Sequence, residues 1–336
     1  MRVAINGFGR IGRAVFRIAE LRQDIEIVAI NDLCDHEALR YLLSYDTVMG
    51  NFEPEVSIEG SELVTSKTRA NMFKERDPKL LPWTELEIDA VVESTGVFRS
   101  REQLSQHLEA GAERVLLTVP AKDDIDYTVV LGVNDEGLTS SHRIVSNASC
   151  TTNCLAPLAK VLHDAFGIRE GVINTIHAYT NDQSLADVPH SDWRRSRAAA
   201  ENIIPTSTGA AKAVGEVLPD LKGRLDGIAS RVPVPDGSVV DFFAELDEEV
   251  TVEDVNKVVQ TAAQSDRMAG VLEYTEEPVV STDIIGNPHS SVFDASFTQV
   301  GEGGFVKTLS WYDNEWGYSN RVCDVLSLMG KLDKQG

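Results

Sequence analysis

The sequence predicts an α/β protein in two parts: a doubly wound parallel sheet in the first part, and an α+β arrangement with a mainly antiparallel sheet in the second. Three observations support this fold class. Short apolar strand patterns alternate with helical patterns over the first half, and longer strands of alternating polarity follow a helix predicted at residues 155–166. A Gly-x-Gly-x-x-Gly run separates the first strand from the first helix. We place a domain boundary near residue 149.

The first part is expected to hold parallel strands covered on both faces. Its strand patterns are short and continuously apolar, which is typical of strands buried between two layers of helices. The predicted strands are residues 3–5, 27–30, 90–93, 114–117, 127–131 and 143–145, and the predicted helices are residues 14–19, 37–44 and 101–110.

The second part is expected to hold an antiparallel sheet with helices on one face. Its strands alternate between polar and apolar residues, and few helices connect them. The clearest helix spans residues 251–264, where Thr251 and Asp254 form a capping box. The predicted strands are residues 171–178, 229–234, 239–246, 291–298 and 305–312. A last helix at residues 318–329 could pack on either part.

Composition excludes several classes of function. The chain has 336 residues and a formal net charge of -22, and its pI is about 4.7. Such an acidic surface repels nucleic acid and anionic lipid, although a pocket can still concentrate a few arginines for an anionic substrate. Four irregularly spaced cysteines make no disulfide framework. With no pattern for a signal peptide or a membrane span, we expect a cytoplasmic protein.

The glycine-rich run predicts a dinucleotide site of the Rossmann type. Gly7, Gly9 and Gly12 lie between a strand and a helix, where glycines permit a tight turn and close approach of a pyrophosphate to the backbone. Asp32 ends the second strand, 20 residues past Gly12, where a carboxylate can hold a ribose hydroxyl and repel a 2′-phosphate. NAD is therefore favoured over NADP. The alternative is a glycine-rich turn in an ordinary α/β domain.

Cys150 is the candidate nucleophile. It follows a strand and a natural helix cap, Ser149, so it falls at the first turn of a helix. The unpaired N–H groups and positive dipole of that turn favour a thiolate, which is the reactive form. The alternative is a small buried core residue, as free cysteine often is.

His177 lies in a strand pattern and could act as ion-pair partner and general base for that thiolate. The alternative is a core histidine with its hydrogen bonds satisfied, because the spacing does not prove that the two side chains meet. Cys150, Cys154 and His177 could also suggest a metal site. Without a fourth ligand or a second Cys-x-x-Cys, we expect no metal.

Arginines and hydroxyls are dense in the second half of this acidic chain. Arginine forks, hydroxyls and backbone N–H groups are the usual ligands of phosphate in proteins. The alternative is a structural or interfacial cluster. The residues concerned are Thr180, Asp182, Arg194, Arg195, Arg197, residues 206–209 and Arg231.

Taken together, these motifs identify a resemblance. The chain resembles the phosphorylating glyceraldehyde-3-phosphate dehydrogenase family over essentially its whole length. The blocks that carry the resemblance are residues 4–13, 146–153, 177–183, 203–214 and 311–318. The resemblance implies that D-glyceraldehyde 3-phosphate is oxidised to 1,3-bisphosphoglycerate through a Cys150 thioester, with NAD and inorganic phosphate.

The resemblance also implies roles for single residues. Cys150 would be the nucleophile and His177 its activating base. Besides the three glycines, the residues contacting NAD would be Arg10, Ile11, Asp32, Arg76, Thr118 and Asn314. Thr180, Asp182 and Arg231 would hold the substrate phosphate, and Ser149, Thr151, Arg195, Thr208 and Gly209 the attacking phosphate. The double arginine leaves open whether Arg194 or Arg195 makes that contact. Thr118 stands where the family usually has Ser, and it keeps the hydroxyl.

Further expectations concern organisation. The resemblance implies an NAD-binding domain at residues 1–149, a catalytic domain at residues 150–314, and a C-terminal helix at residues 315–336 that returns to the first domain. It also implies a homotetramer. Two alternatives remain, namely an erythrose-4-phosphate dehydrogenase and a non-catalytic NAD-binding scaffold. The intact runs at residues 180–183 and 206–214 argue against the first, and the retained Cys150, His177 and Arg231 argue against the second.

Overall fold

A computed structural model describes residues 1–334 and divides the chain into two compact units. The first unit comprises Met1–Val129, Glu136–Ala148 and the chain from Ser319 onward. The second comprises Val130–Asp135 and Ser149–Tyr318. The last two residues of the predicted C-terminal helix lie outside the described residues.

The first unit is built on a sheet of nine strands in the order β3-β4-β5-β2-β1-β6-β7-β9-β8. Its strands are parallel from β5 to β8, while β3, β4 and β5 pair antiparallel at one edge. The elements are β1 (Arg2–Asn6), α1 (Arg10–Glu20), β2 (Glu26–Asn31), α2 (His36–Ser44), β3 (Ser57–Glu59), β4 (Glu62–Val64), β5 (Arg69–Phe73), β6 (Ala90–Glu93), α3 (Arg101–Glu109), β7 (Arg114–Leu117), β8 (Tyr127–Thr128) and β9 (Ile144–Ser146).

The central strands of this sheet form the core of the unit. All four residues of β6 and of β7 are buried, as expected for strands covered on both faces. The strand order reverses between β1 and β6, since β2 lies on one side of β1 and the later strands lie on the other. Ligands bind at such switch points, outside the carboxyl ends of the strands.

The second unit is built on a sheet of eight strands with the path β11-β12-β10-β13-β17-β15-β14, to which β16 adds beside β17. Most pairs are antiparallel, but β10–β12 and β14–β15 are parallel. The elements are α4 (Cys150–Phe166), β10 (Ile168–Ala178), β11 (Ile204–Ser207), α5 (Ala210–Val217), β12 (Leu225–Val232), β13 (Ser238–Leu246), α6 (Val252–Ala263), β14 (Leu272–Thr275), α7 (Ser281–Ile284), β15 (Ser291–Asp294), β16 (Gln299–Val300) and β17 (Phe305–Tyr312). The last helix, α8 (Trp316–Asp333), begins in the second unit and belongs to the first unit from Ser319.

The predicted fold class is confirmed, and the differences are local. The predicted strand at 127–131 ends at Thr128. The predicted strand at 291–298 ends at Asp294, because the Asp294 carboxylate accepts a hydrogen bond from the Ser296 N–H and starts a 3-10 turn. The capping box of α6 forms as predicted, with Thr251 and Asp254 bonding each other's backbone. Within the described residues, no helix is long and apolar enough to cross a membrane.

Candidate active site

The glycine-rich run forms the turn between β1 and α1. Gly7 has a φ of +93°, and a Cβ there would lie 2.6 Å from the backbone N of Thr95. A Cβ on Gly12 would lie 2.2 Å from the carbonyl oxygen of Gly7, so this glycine allows the helix to pack against the turn. Gly9 faces open space within 4 Å of where its Cβ would be. The backbone there is accessible to a ligand such as a pyrophosphate.

A cleft of about 340 Å³ opens beside this turn, within the first unit. Gly7, Gly9, Asp32 and Arg76 line it. The Asp32 carboxylate is held in place, because it accepts hydrogen bonds from the backbone N–H groups of Phe8 (2.8 Å) and Cys34 (2.9 Å). These features suit a dinucleotide. The helix N-terminus has no side-chain cap and, with the open glycine backbone, can bind a pyrophosphate, while acceptors at the strand ends can bind a ribose. Other lining residues that the sequence did not single out are Asn6, Asn31, Leu33, Glu75, Ser94, Thr95, Val97 and Phe98.

Five of the predicted NAD contacts lie outside the lining of this cleft, and Gly12, which packs against the turn, is one of them. The Arg10 guanidinium forms an ion pair with Asp46. Ile11 is half-buried in the first turn of α1. The Thr118 hydroxyl is buried and donates to the carbonyl of Glu93 at 3.1 Å. Asn314 belongs to the second unit, where its side-chain oxygen accepts a hydrogen bond from Ser238.

Cys150 is the first residue of α4, as the sequence predicts. The Ser149 hydroxyl caps the helix by accepting a hydrogen bond from the Thr152 N–H at 3.0 Å. Cys154, one turn later, is fully buried, and its sulfur contacts Ser291 and the carbonyl of Ser310 at 3.7 Å. Cys154 is therefore part of the core, and among the described residues no group of three His, Cys, Asp or Glu could hold a metal ion.

The structure brings His177 to Cys150 within the second unit. The Cys150 Sγ lies 3.5 Å from His177 Nε2, although the two residues are 27 positions apart. His177 Nδ1 lies 2.7 Å from the carbonyl oxygen of Ala178. A proton on Nδ1 donates to that carbonyl and leaves Nε2 as the acceptor for the thiol. The Tyr312 ring meets the imidazole edge-on at 5.9 Å.

The buried setting acts on both groups. Burial raises the pKa of the Cys150 thiol to about 11, against the opposing charge of Arg231. Burial, together with the Arg231 charge, lowers the pKa of His177 to about 3. Both shifts oppose the charged forms, whereas the start of a helix favours the thiolate, so the thiolate stays a prediction.

Arg231 connects this pair to an anion-binding arrangement. Its Nη1 lies 3.0 Å from the Ala178 carbonyl and 3.3 Å from the Thr180 hydroxyl, and it donates to both. Its Nε is buried and has no hydrogen-bond partner among the described residues. Because a buried guanidinium N–H without a partner is costly, this atom points to a missing acceptor such as a phosphate oxygen.

Arg195, rather than Arg194, joins this arrangement. Its guanidinium donates to the Asp182 carboxylate at 2.5 Å and to the Thr206 hydroxyl at 2.9 Å. Burial acts to raise the pKa of Asp182, but the hydrogen bonds and charges of Arg195 and His190 together outweigh it, so the carboxyl pKa is lowered. Arg194 is exposed. Of the two arginines, Arg195 is the one placed to contact an anion.

Most of the remaining predicted phosphate ligands already make hydrogen bonds within the protein. The Ser149 hydroxyl caps α4, and the buried Thr151 hydroxyl bonds the Tyr312 hydroxyl at 2.7 Å. The Thr208 hydroxyl accepts from the Ala210 N–H at 3.2 Å, and Gly209 is the exposed residue before α5. Tyr312 was not predicted, because nothing in its sequence pattern distinguishes it from a core tyrosine.

Comparison with known proteins agrees with this geometry. A family model described as the glyceraldehyde 3-phosphate dehydrogenase NAD binding domain matches residues 1–101, and one described as the C-terminal domain matches residues 149–314. Glyceraldehyde-3-phosphate dehydrogenase of Priestia megaterium is 56% identical over 97% of both chains. That of Borreliella burgdorferi is 56% identical over 98% of this chain and 100% of its own.

The chain belongs to the glyceraldehyde-3-phosphate dehydrogenase family. The relative from Mycolicibacterium smegmatis is 52% identical over 98% of this chain and 99% of its own. The predicted resemblance is confirmed, and NAD is the cofactor that the family match supports. For this dehydrogenase family member, the Cys150–His177 contact and the Asp32 cleft can be tested separately, because each lies within one unit.

Replacing His177 with Asn tests the base. The variant removes the ring nitrogen that faces the thiol at 3.5 Å. We expect kcat to fall about 10²–10⁴-fold, the usual contribution of a positioned general base. Alkylation of Cys150 by iodoacetamide at pH 7 should also slow. His142→Asn is the control, because that histidine stacks on Tyr127 in the first unit. Unchanged kcat in His177→Asn would rule out the assigned role.

A buried carboxyl group, Asp236, lies in the second unit, as Cys150 and His177 do. Asp236 is fully buried, and its Oδ1 accepts from the Gly237 N–H, while Oδ2 has no partner among the described residues. Burial and the neighbouring Asp313 charge raise the pKa of Asp236 to about 9. Asp313 accepts from the backbone N–H groups of Gly286, Glu315 and Trp316, which favour its charged form over that of Asp236.

The raised pKa of Asp236 has a consequence for stability. The folded protein holds a proton on Asp236 at neutral pH that the unfolded chain releases near pH 4, so the contribution of Asp236 to the free energy of unfolding falls as pH rises between about 4 and 9. Asp236→Asn keeps a neutral side chain of the same shape and should flatten this slope. Urea denaturation of both proteins at pH 5 and pH 8 measures it. Equal slopes would show that Asp236 is ionised in the folded state.

Proposed function

We propose that this protein oxidises D-glyceraldehyde 3-phosphate to 1,3-bisphosphoglycerate, using NAD and inorganic phosphate and passing through a thioester on Cys150. The single observation that supports this best is the Cys150–His177 contact of 3.5 Å, with Arg231 bonded beside it to Thr180. A nucleophile with its base and an arginine with an unsatisfied N–H suit an aldehyde that carries a phosphate.

Cys150 and His177 carry out the first stage of the reaction, the oxidation of the aldehyde. Sγ of Cys150 attacks the aldehyde carbon as its proton passes to Nε2 of His177, which forms a hemithioacetal. The N–H groups at the start of α4 and the protonated imidazole stabilise the developing oxyanion. NAD, when bound, supplies the two-electron acceptor that converts the hemithioacetal into the thioester. Before this step the protonated imidazole returns its proton to the oxyanion, which becomes the hemithioacetal hydroxyl. His177, neutral again, then accepts that proton as the two electrons leave.

Phosphate then completes the reaction. A phosphate oxygen attacks the thioester carbon, the C–S bond breaks, and the acyl phosphate leaves while Cys150 is regenerated. Because the thioester separates oxidation from phosphorylation, the energy of oxidation is retained in the product. The proposed ligands of the substrate phosphate are Thr180, Asp182 and Arg231, and those of the attacking phosphate are Ser149, Thr151, Arg195, Thr208 and Gly209.

The cofactor residues are proposed on the same basis. Gly7, Gly9, Asp32 and Arg76 line the cleft of the first unit, which supports a dinucleotide there. Arg10, Ile11, Gly12, Thr118 and Asn314 are carried over from the family pattern. We assign residues 1–149 to the NAD-binding domain, residues 150–314 to the catalytic domain, and the C-terminal helix to the first domain.

We also propose that the chain is a cytoplasmic homotetramer. One face of the second unit's sheet keeps apolar side chains exposed, with Val172 at 55%, Ile228 at 50% and Phe305 at 46% of their surface. Exposed apolar side chains grouped on a sheet face favour association with another copy. Light scattering of the purified protein should give the mass of four chains, and the mass of one chain would contradict the proposal.

A steady-state assay tests the activity. We expect NADH production from D-glyceraldehyde 3-phosphate that depends on inorganic phosphate and is much slower with erythrose 4-phosphate. Cys150→Ser should abolish turnover while NAD still binds, since the cleft lies in the other unit. Cys154→Ser is the matched control, because this buried thiol does not contact His177. Faster turnover of erythrose 4-phosphate would support the sister activity, and no turnover with either aldehyde would leave a scaffold.

A further inference from the structure

A buried hydrogen-bonded cluster adjoins the cofactor cleft and is not explained by the reaction. Glu93, the last residue of β6, and His107 on α3 are fully buried, and neither lines the cleft. Asn6 and Asn31, which end β1 and β2, are 1% and 4% exposed, and both line it. The cluster therefore connects the core of the first unit to the wall of the cleft.

On the α3 side of this cluster, the donor and the acceptor of each hydrogen bond can be assigned. The indole N–H of Trp83 can only donate, and it lies 3.1 Å from Nδ1 of His107. Nδ1 must therefore accept, so in the neutral ring the proton is on Nε2. That N–H donates to Oε2 of Glu93 at 3.1 Å. Trp83 thus determines the tautomer of His107.

On the cleft side of the cluster, the donor and the acceptor of each hydrogen bond can also be assigned. The backbone N–H of Glu75 donates to the side-chain oxygen of Asn31 at 2.8 Å, which leaves the Asn31 amide to donate to the Asn6 oxygen at 2.7 Å. The Asn6 amide then donates to Oε2 of Glu93 at 2.6 Å. The Thr95 backbone N–H donates to the other Glu93 oxygen at 2.9 Å. Three donors, from His107, Asn6 and Thr95, therefore converge on the Glu93 side chain.

We propose that His107 is a positioning residue for the cofactor, acting through Glu93 and the two asparagines to fix the cleft wall; this inference rests on NAD binding in that cleft. Glu93 draws together the ends of β1 and β6, and Asn31 extends the network to the loop at Glu75, beside Arg76. A supporting layer of this kind lowers the cost of ordering the residues that contact a ligand. Loss of the His107 donor leaves Glu93 with one donor fewer and frees Asn6 to move.

Two substitutions at position 107 separate hydrogen bonding from packing. His107→Leu keeps an apolar volume but removes both ring nitrogens. His107→Gln offers an amide oxygen to Trp83 and an amide N–H to Glu93. We expect His107→Leu to raise the Kd for NAD about tenfold and His107→Gln to stay within roughly twofold, the size of effect typical of supporting residues. With saturating NAD, kcat should change little in both variants, since the Cys150–His177 contact is untouched.

A matched control separates positioning from general destabilisation. Leu104→Ala lies on the same helix and opens a cavity in the same unit, yet Leu104 takes no part in the network. It should lower Tm without changing the Kd for NAD. If His107→Leu does not fold, Trp83→Phe removes the donor that determines the tautomer together with part of a buried ring, and it should weaken NAD binding where Leu104→Ala does not. Calorimetric titration with NAD measures each Kd.

The outcomes are distinct. An NAD affinity in His107→Leu or Trp83→Phe equal to that of Leu104→Ala would overturn the positioning role. Failure of the unaltered protein to bind NAD would overturn both this inference and the proposed function. NAD binding without turnover of glyceraldehyde 3-phosphate would overturn only the proposed function, and the comparison of Kd values would still decide the role of His107.

Discussion

The position of one proton on the His177 ring determines what the Cys150 site can do. With the proton on Nδ1, held by the Ala178 carbonyl at 2.7 Å, Nε2 presents a lone pair to the thiol at 3.5 Å. With the proton on Nε2, the ring could only donate, and the thiol proton would have no acceptor. Because Ala178 is the next residue of β10, the strand itself supplies the carbonyl that selects the productive tautomer.

Arg231 lies close to both atoms of this hydrogen bond. Its Nη1 lies 3.0 Å from Nδ1 as well as 3.0 Å from the Ala178 carbonyl, and a guanidinium can only donate. Donation to the carbonyl is compatible with a protonated Nδ1, while donation to Nδ1 is not. The arginine charge also lowers the pKa of His177, after burial, so the base is kept neutral until the thiol proton arrives. The same side chain therefore serves the base and presents a free Nε to an anion.

Sequence patterns predicted those features that depend on neighbouring residues. The strands at 90–93 and 114–117, the capping box of α6 and the start of α4 follow from local apolar runs and caps, and they form as expected. The edge hairpin β3–β4 was not predicted, because each strand has only three residues. The approach of His177 to Cys150 could only be suggested, since it depends on how β10 and α4 pack. The opposing effect of burial on the Cys150 pKa was not predicted, because burial cannot be read from a helix cap.

Two buried carboxyls differ in the number of hydrogen-bond donors that face them. Glu93 receives donors from His107, Asn6 and Thr95, which replace the water it has lost. Asp236 receives a single backbone N–H and faces Asp313, so burial and that neighbour raise its pKa to about 9. The number of directed donors distinguishes the two sites. A carboxylate at the centre of fixed donors can hold a cleft wall in one arrangement, whereas an acid short of donors keeps its proton and makes folding sensitive to pH.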